Sequence, residues 1–284
     1  MNLEGLIDKW LVEDEIFKSS LAQYSGFPAI FNGSVPDDKQ DGWEGKAQYP
    51  RICYALDFQV NPERASVGTM DFAIYCESSD SGLQKLESEA KSRLKDVIMR
   101  PENESPYCFT WSSTEAFEYS KGIVGIDIHF DIREFPSQET TDPDPIMAMN
   151  KFIKEMYKEF LVLGWDKIGD FVSAKDFPLF YCRLDNQERG LETNSVVWMN
   201  CKIAVHFLCP ETDMRLKAIT ALAQNLSLNG EVIMMDGSPM TVQRLQQNNK
   251  ADYLSEGQLY VTCKYGLLRY KSKPHRITEA KINF

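Results

Sequence analysis

Residues 49–59 read YPRICYALDFQ, and residues 177–187 read FPLFYCRLDNQ. At a shift of 128 positions both stretches open on an aromatic residue followed by proline, and they agree again at Leu56/Leu184, Asp57/Asp185 and Gln59/Gln187. Each is typical of a β-strand with proline near its start, where no ladder hydrogen bond is lost. The sequence therefore predicts one kind of strand at two places in the chain.

The elements around these strands come in the same order in both halves. A helical stripe precedes each strand, over residues 3–21 and 146–160, and an alternating strand follows it, over 68–76 and 201–209. An amphipathic helix comes next, carried in the second half by residues 216–226 and in the first by Leu83, Leu86, Leu94, Val97 and Ile98, up to Pro101. Strands over 107–111, 123–133 and 258–265 complete the pattern, which indicates a duplicated fold.

The link between the halves is predicted at residues 140–145. Asp142-Pro143 and Asp144-Pro145 each place aspartate before proline, which favours an extended segment. We therefore expect an α+β protein of two similar domains, residues 1–140 and 141–284. Each is expected to be a mainly antiparallel sheet with helices packed on one face.

Composition narrows the class of protein. The 284 residues are 43% hydrophobic, and 42 acidic against 31 basic side chains give a net charge of -11. Such a charge repels phosphate backbones, so we expect no direct nucleic-acid binding, and the locally basic residues 271–281 are expected to be a solvated end. No apolar run reaches the roughly 20 residues of a membrane span, and no signal peptide is recognisable at the start. Seven cysteines without a Cys-x-x-Cys pair indicate buried free thiols in a reducing compartment.

Residues that carry chemistry are few and scattered. His129 and His206 fall at the polar phase of alternating strands, where surface-facing imidazoles are expected, and His275 lies in the tail. No spacing typical of a zinc site, phosphate loop or nucleophile elbow occurs. Residues 236–240 are expected to form a tight turn between two strands, and the acidic groups at 13–15 and 37–38 to be solvated. The sequence thus predicts no catalytic residue, no metal and no cofactor, and so no enzyme.

Tryptophan offers the one candidate for a partner contact. Trp10, Trp165, Trp111 and Trp198 fall in predicted helices or strands and are expected in the core. Trp43 stands in a polar loop, close to Asp37 and Asp38. An exposed loop tryptophan is suited to anchor a partner, and the alternative is that it folds back on its own domain. Trp43, Asp37 and Asp38 are therefore the predicted partner contacts.

The stretch from Phe31-Asn32-Gly33-Ser34-Val35-Pro36 through Trp43 to residues 49–54 resembles the small tail-completion proteins of long-tailed bacteriophages. That family includes tail-terminator-like minor tail proteins, which also occur in prophages. The alternation over 68–75, the strand at 107–111 and the segments at 236–240, 257–259 and 265–269 are similar to it as well. The tandem arrangement departs from the family, whose members are usually one domain.

The resemblance implies a structural role in tail assembly. Copies would join through sheet edges and loops into a ring, as a trimer or hexamer, and would contact other tail or connector proteins. The protein would reside in the virion, and in the host cytoplasm during assembly. Two alternatives stay open. One is an intracellular small-ligand or nucleotide-binding enzyme on a duplicated ferredoxin-like fold, with Arg51, Arg183 and Asp185 converging at the shared interface. The other is an adaptor for host proteins.

Overall fold

The computed structural model describes residues 1–44, 48–59, 66–79, 81–140, 142–252 and 256–269. The basic segment 271–281, which includes His275, lies outside these ranges. The first half contains α1 (Leu3–Val12), α2 (Glu15–Ser20), β1 (Gln23–Tyr24), β2 (Phe27–Pro28), β3 (Ile30–Asn32), β4 (Arg51–Phe58), β5 (Gly68–Glu77), α3 (Leu83–Leu94), β6 (Val97–Met99), β7 (Tyr107–Ser120) and β8 (Ile123–Glu134).

From the Asp-Pro link onward the second half follows a similar order. It contains α4 (Pro145–Met156), β9 (Leu161–Val162), β10 (Phe171–Ser173), β11 (Leu179–Glu192), β12 (Val196–Leu208), α5 (Thr212–Asn229), β13 (Glu231–Ile233), β14 (Pro239–Gln247) and β15 (Leu259–Leu268). It is without counterparts of α2, β1 and β2 and has one additional strand, β10. The chain is thus a mixture of helices and strands, as the sequence predicted. The turn between β13 and β14 spans residues 234–238, with Gly237 at a φ of 82°, so the last two residues of the predicted turn, 239 and 240, belong to β14 instead.

Two large sheets carry the fold, and their strands come in matching order. The seven-stranded sheet runs β10-β6-β7-β8-β5-β4-β3, and the six-stranded sheet runs β13-β14-β15-β12-β11-β9. Apart from β10, each strand of the first sheet has a counterpart at the same place in the second. The pairs β3/β4 and β9/β11 are parallel, and the other pairs in both sheets are antiparallel. The remaining strands, β1 and β2, pair with each other.

Each large sheet has its own hydrophobic core. In the first, the even-numbered residues of β4, β5 and β8 point to one side, where Ile52, Phe72 and Ile128 are fully buried. Buried residues of α1, α2 and α3 belong to the same cluster. In the second, the odd-numbered residues of β12, such as Ile203 and Phe207, share a cluster with buried residues of α4 and α5. The alternating patterns found in the sequence are therefore the patterns that bury apolar surface.

The two halves are joined by more than the link. β10 comes from beyond the predicted boundary at residue 140 and pairs antiparallel with β6 at the edge of the first sheet. Phe171 of β10 stacks on Trp10 of α1, with ring centroids 4.5 Å apart. A third buried cluster combines residues from both halves, among them Ile98, Cys108, Tyr181 and Leu208. The sheets therefore share a packed junction.

Two predicted helices end earlier than their apolar stripes. The stripe over residues 3–21 is broken at Asp14, which is buried and caps α2 by accepting hydrogen bonds from the amides of Ile16 and Phe17, both at 2.9 Å. The expectation that the acidic residues 13–15 are solvated is therefore wrong for Asp14. The helix expected to include Val97 and Ile98 stops at Leu94, because Asp96 adopts a φ of 60° and the chain turns into β6.

Several expectations about single side chains are wrong. Trp111 is 41% exposed rather than in the core, since it lies in β7 beyond the short neighbouring strand β6. His206 is buried, because its end of the second sheet is covered at the junction, where its ring lies 5.6 Å from that of Tyr181.

Six of the seven cysteines are buried and all are free thiols, as predicted, with Cys53 half-buried. Among the described helices, none combines the length and apolar character needed to cross a bilayer.

Candidate functional site

The predicted partner contacts lie in the loop that precedes β4. The Trp43 side chain is half-buried, and its ring packs edge-on against Tyr24 and Phe31, at centroid distances of 5.1 and 5.8 Å. Its indole N–H donates to the carbonyl of Asp37 at 3.2 Å. Trp43 thus contacts its own half of the chain, whereas the Asp37 side chain is exposed.

Asp38 and Trp43 meet around one buried cation. Arg51, at the start of β4, is only 4% exposed, and its Nη1 donates to the Asp38 carboxylate at 2.8 Å. The guanidinium lies 4.5 Å from the ring centre of Tyr49, 5.7 Å from that of Tyr75 and 5.8 Å from that of Trp43. We call this group the Arg51 cage. Ion pairing and three aromatic rings offset part of the cost of burying the guanidinium, whose Nε has no hydrogen-bond partner among the described residues, and the cage connects the loop to the sheet.

The face of the first sheet opposite its core carries a cluster that the sequence analysis missed. We call this face, formed by the odd-numbered residues of β4, β5 and β8, the outer face. Asp71 and His129 stand directly opposite each other on β5 and β8, and the His129 Nδ1 lies 2.7 Å from the Asp71 carboxylate. Asp127 is two residues before His129, and its carboxylate lies 3.9 Å from Nε2. The imidazole is therefore held between two carboxylates.

The pKa values of two side chains in this outer-face cluster, His129 and Asp127, are both raised. The hydrogen bond with Asp71 is the main cause that raises the pKa of His129, and the charge of Asp127 adds to it. Burial is the main cause that raises the pKa of Asp127, and the His129 charge opposes it. The Asp127 Oδ1 is buried and has no hydrogen-bond partner among the described residues. One oxygen of the cluster thus lacks the partner that a buried polar atom normally has.

The three side chains have the composition of a metal site. One ligand atom from each of Asp71, Asp127 and His129 lies within 4.8 Å of the others. Imidazole and carboxylate together suit divalent transition metals. The sequence does contain Asp127 and His129 at the spacing that places two side chains on one face of a strand. Asp71 is brought to them only by the register of β5 against β8, which no local pattern reveals.

A cavity of about 430 Å³ lies at the junction of the two halves. Asn150 of α4 lines it and is 2% exposed; its Nδ2 donates to the Leu163 carbonyl at 3.5 Å, while its Oδ1 has no partner among the described residues. The residues expected to converge at this interface do not line the cavity. Arg51 is in its cage, and Arg183 lies 3.9 Å from Asp185 on the second sheet.

Both large sheets leave strand edges open. β7 pairs with β6 only through Tyr107 and Cys108, and one isolated bridge adds Phe109. Residues 110–120 have no second partner strand within the described part of the chain. In the other sheet β13 covers only residues 239–241 of β14, its counterpart. Register shifts at Ser112, Tyr119 and Gln243 place bulges in these edges.

The candidate surfaces are thus the Arg51 cage, the outer-face cluster, the junction cavity and the open edges of β7 and β14. Compared with known proteins, the sequence matches no family model and no curated protein.

Proposed function

We propose that the chain is a structural protein of a phage or prophage tail, which assembles through protein–protein contacts with copies of itself and with other tail or connector proteins. The observation that carries the proposal is the open edge of β7 over residues 110–120, together with its counterpart in β14. The protein then resides in the virion, and in the host cytoplasm during assembly. It requires no catalytic residue or cofactor.

Open edges give such a protein a way to associate. An edge strand presents a row of free N–H and C=O groups, to which a strand of another chain can add. The β7 edge between Ser112 and Tyr119 carries charge only at Glu115 and Glu118, so few side chains repel an incoming strand. The bulges twist the edge away from a flat template, which restricts pairing to a strand of matching shape. Such an edge favours specific assembly over aggregation.

The repeat bears on the symmetry of a ring. The proposal includes two similar domains, residues 1–140 and 141–284, with the helices on one face of each sheet. It is supported by the matched strand order and by the core clusters that combine helix and strand residues. Head-to-tail contacts close into a ring when the rotation between neighbours permits. A trimer of such chains presents six related sheets. A hexamer presents six more sheets, which would form an additional outer layer.

Light scattering after size exclusion tests the assembly. The full chain should elute as one species at three or six times the 32.6 kDa of a single chain. Lysines at the exposed edge positions, in the double variant Ser112→Lys and Ala116→Lys, should shift it to smaller species, because charged edges resist strand addition. The control, Gln84→Lys with Ser88→Lys on the exposed surface of α3, adds the same charge and should leave the mass unchanged.

Two outcomes would contradict the proposal. One is a chain that stays monomeric at high concentration, and the other is an oligomer that both double variants leave intact. Negative-stain electron microscopy of the main species gives an independent check, since the proposal requires closed rings.

A second candidate function is favoured by the junction cavity. A buried amide oxygen without a partner, at the wall of a cavity between two repeats, is a feature of small-ligand sites. Melting curves with nucleotides in metal-free buffer test this reading, because a ligand of the folded state raises the melting temperature. Asn150→Leu should abolish any such shift. If no nucleotide shifts the wild-type curve, this class of ligand is excluded.

A further inference from the structure

We propose that His129 and Asp127 bind a divalent transition-metal ion of the zinc class on the outer face of the first sheet, and that Asp71 orients His129. The site is separate from the junction cavity and does not require the assembly role, although its neighbour Glu115 lies in the open edge of β7. It uses two central strands, β5 and β8, which are paired along ten consecutive positions. The ligands therefore stand on a rigid support.

Asp71 determines which nitrogen of His129 faces the ion. Its carboxylate lies 2.7 Å from Nδ1, so this nitrogen donates its proton to Asp71. The neutral imidazole then carries its lone pair on Nε2. Metal-binding histidines commonly donate their other ring N–H to a carboxylate, which fixes the tautomer and the ring orientation. In this arrangement Asp71 is a positioning residue rather than a ligand.

Asp127 lies where a ligand partner of Nε2 must lie. With metal–nitrogen and metal–oxygen distances near 2.1 Å, two ligands at a tetrahedral angle are about 3.4 Å apart. The observed separation between Nε2 and the Asp127 Oδ2 is 3.9 Å. A small rotation of either side chain, which moves Nε2 or Oδ2 by a few tenths of an ångström, brings the two atoms to the distance that a shared metal ion requires. The Asp127 Oδ1 is buried and has no hydrogen-bond partner among the described residues, so it is available as a second metal-ligand atom on the same side chain.

The neighbourhood favours a cation. Glu115 of β7 stands directly opposite Asp127, and its charge raises the pKa of both Asp127 and His129. Three carboxylates thus surround one imidazole. Glu115 is exposed on the same face, and in this proposal it supplies a third ligand, with water completing the shell. A nitrogen and oxygen donor set of this kind suits Zn²⁺, Co²⁺ or Mn²⁺ better than Mg²⁺ or Ca²⁺.

Cobalt titration of the untagged full chain at mildly alkaline pH tests the site. Co²⁺ should bind as one ion per chain and produce visible absorption bands, and Zn²⁺ should displace it. His129→Ala and Asp127→Asn should abolish the bands. Asp71→Asn should weaken binding by about 10- to 100-fold, as expected for the loss of an orienting partner. Asp131→Asn is the matched control: it lies on the same strand and face, pairs with Arg133 at 3.5 Å, and should bind as the wild type does.

A protection experiment on the wild-type chain tests the site independently of the variants. Co²⁺ should protect His129 of the wild-type chain from modification by diethyl pyrocarbonate, read by mass spectrometry. Cobalt bands that persist in His129→Ala, or a Zn²⁺ titration without binding to the wild type, would overturn the proposal. Intense near-ultraviolet absorption typical of cobalt–thiolate bonds would also overturn it, since it would place the ion at a cysteine such as Cys53.

Discussion

Asp14 is the residue whose substitution tests the fold most directly. It caps α2, and its second oxygen forms an ion pair with Arg93 of α3, which comes 79 residues later in the chain. Burial acts to raise the pKa of its carboxyl, but the hydrogen bond from the Phe17 amide and the interactions with Arg93 outweigh it and leave that pKa below its ordinary value. The carboxylate therefore ties three helices together, since it stands between α1 and α2.

The cost of removing this side chain follows from its contacts. Loss of the helix cap costs about 1 kcal/mol. Loss of a charge-assisted hydrogen bond to Arg93 costs about 1.5–3 kcal/mol. Relief of the burial of a charge offsets part of this sum, so Asp14→Ala should lower the free energy of unfolding by about 2–3 kcal/mol. Asp14→Asn keeps a good cap and should lose only about 1–2 kcal/mol.

Equilibrium urea unfolding measures these differences as shifts of the midpoint at constant slope. Glu13→Ala is the control, because Glu13 is the exposed neighbour and should change the free energy of unfolding by less than about 0.5 kcal/mol. The reasoning is refuted if Asp14→Ala falls within that range too. It is also refuted if Asp14→Asn costs as much as Asp14→Ala, since the cap would then contribute nothing.

Three further predictions concern stability. Because the folded-state pKa of Asp14 is lowered, its contribution is present above about pH 4 and is lost as the pH falls further, so the unfolding free energies of wild type and Asp14→Asn should converge in acid titrations. Gly68→Ala should cost about 1–3 kcal/mol in urea unfolding, because a Cβ there would lie 2.4 Å from a backbone oxygen of β4, whereas Gly169→Ala, with its nearest atom at 4.0 Å, should be neutral. Asp38→Asn should lower the thermal midpoint, because it removes the charge partner of the buried Arg51 at a cost of about 1–3 kcal/mol. The control, Asp37→Asn at an exposed position, should leave the midpoint unchanged. Equal effects of the two variants would contradict the role assigned to Asp38 in the Arg51 cage.

The strands were the part of the fold that sequence patterns could predict. Alternation over β4, β5 and β12 reflects burial on one side of a sheet, which acts locally and has a period of two. The short strand β6 was hidden because Leu94, Val97 and Ile98 continue the spacing of a helix. The left-handed backbone at Asp96 follows the end of that helix, and the Asp96 backbone is hydrogen-bonded to Phe109 of β7 and to Ala174 of the second half. Long-range contacts thus decided what the local pattern left ambiguous.

Side-chain environments depended still more on tertiary contacts. His206 stands at a polar phase of β12, yet the junction buries it. Trp43 stands in a polar loop, yet Arg51 and two aromatic rings hold it against the sheet. The outer-face cluster needed the register between Asp71 and His129, 58 residues apart. Composition carries no information about such register, so no local pattern could bring Asp71 to His129.

The pairing of β10 with β6 has a practical consequence for dissecting the chain. Truncation at the Asp-Pro link would give an amino-terminal fragment without Phe171, so the Trp10 ring would lose its stacking partner and β6 would be uncovered. Such a fragment should be prone to self-association through that strand. Conversely, limited proteolysis near residue 140 of the intact chain should leave the two pieces bound to each other.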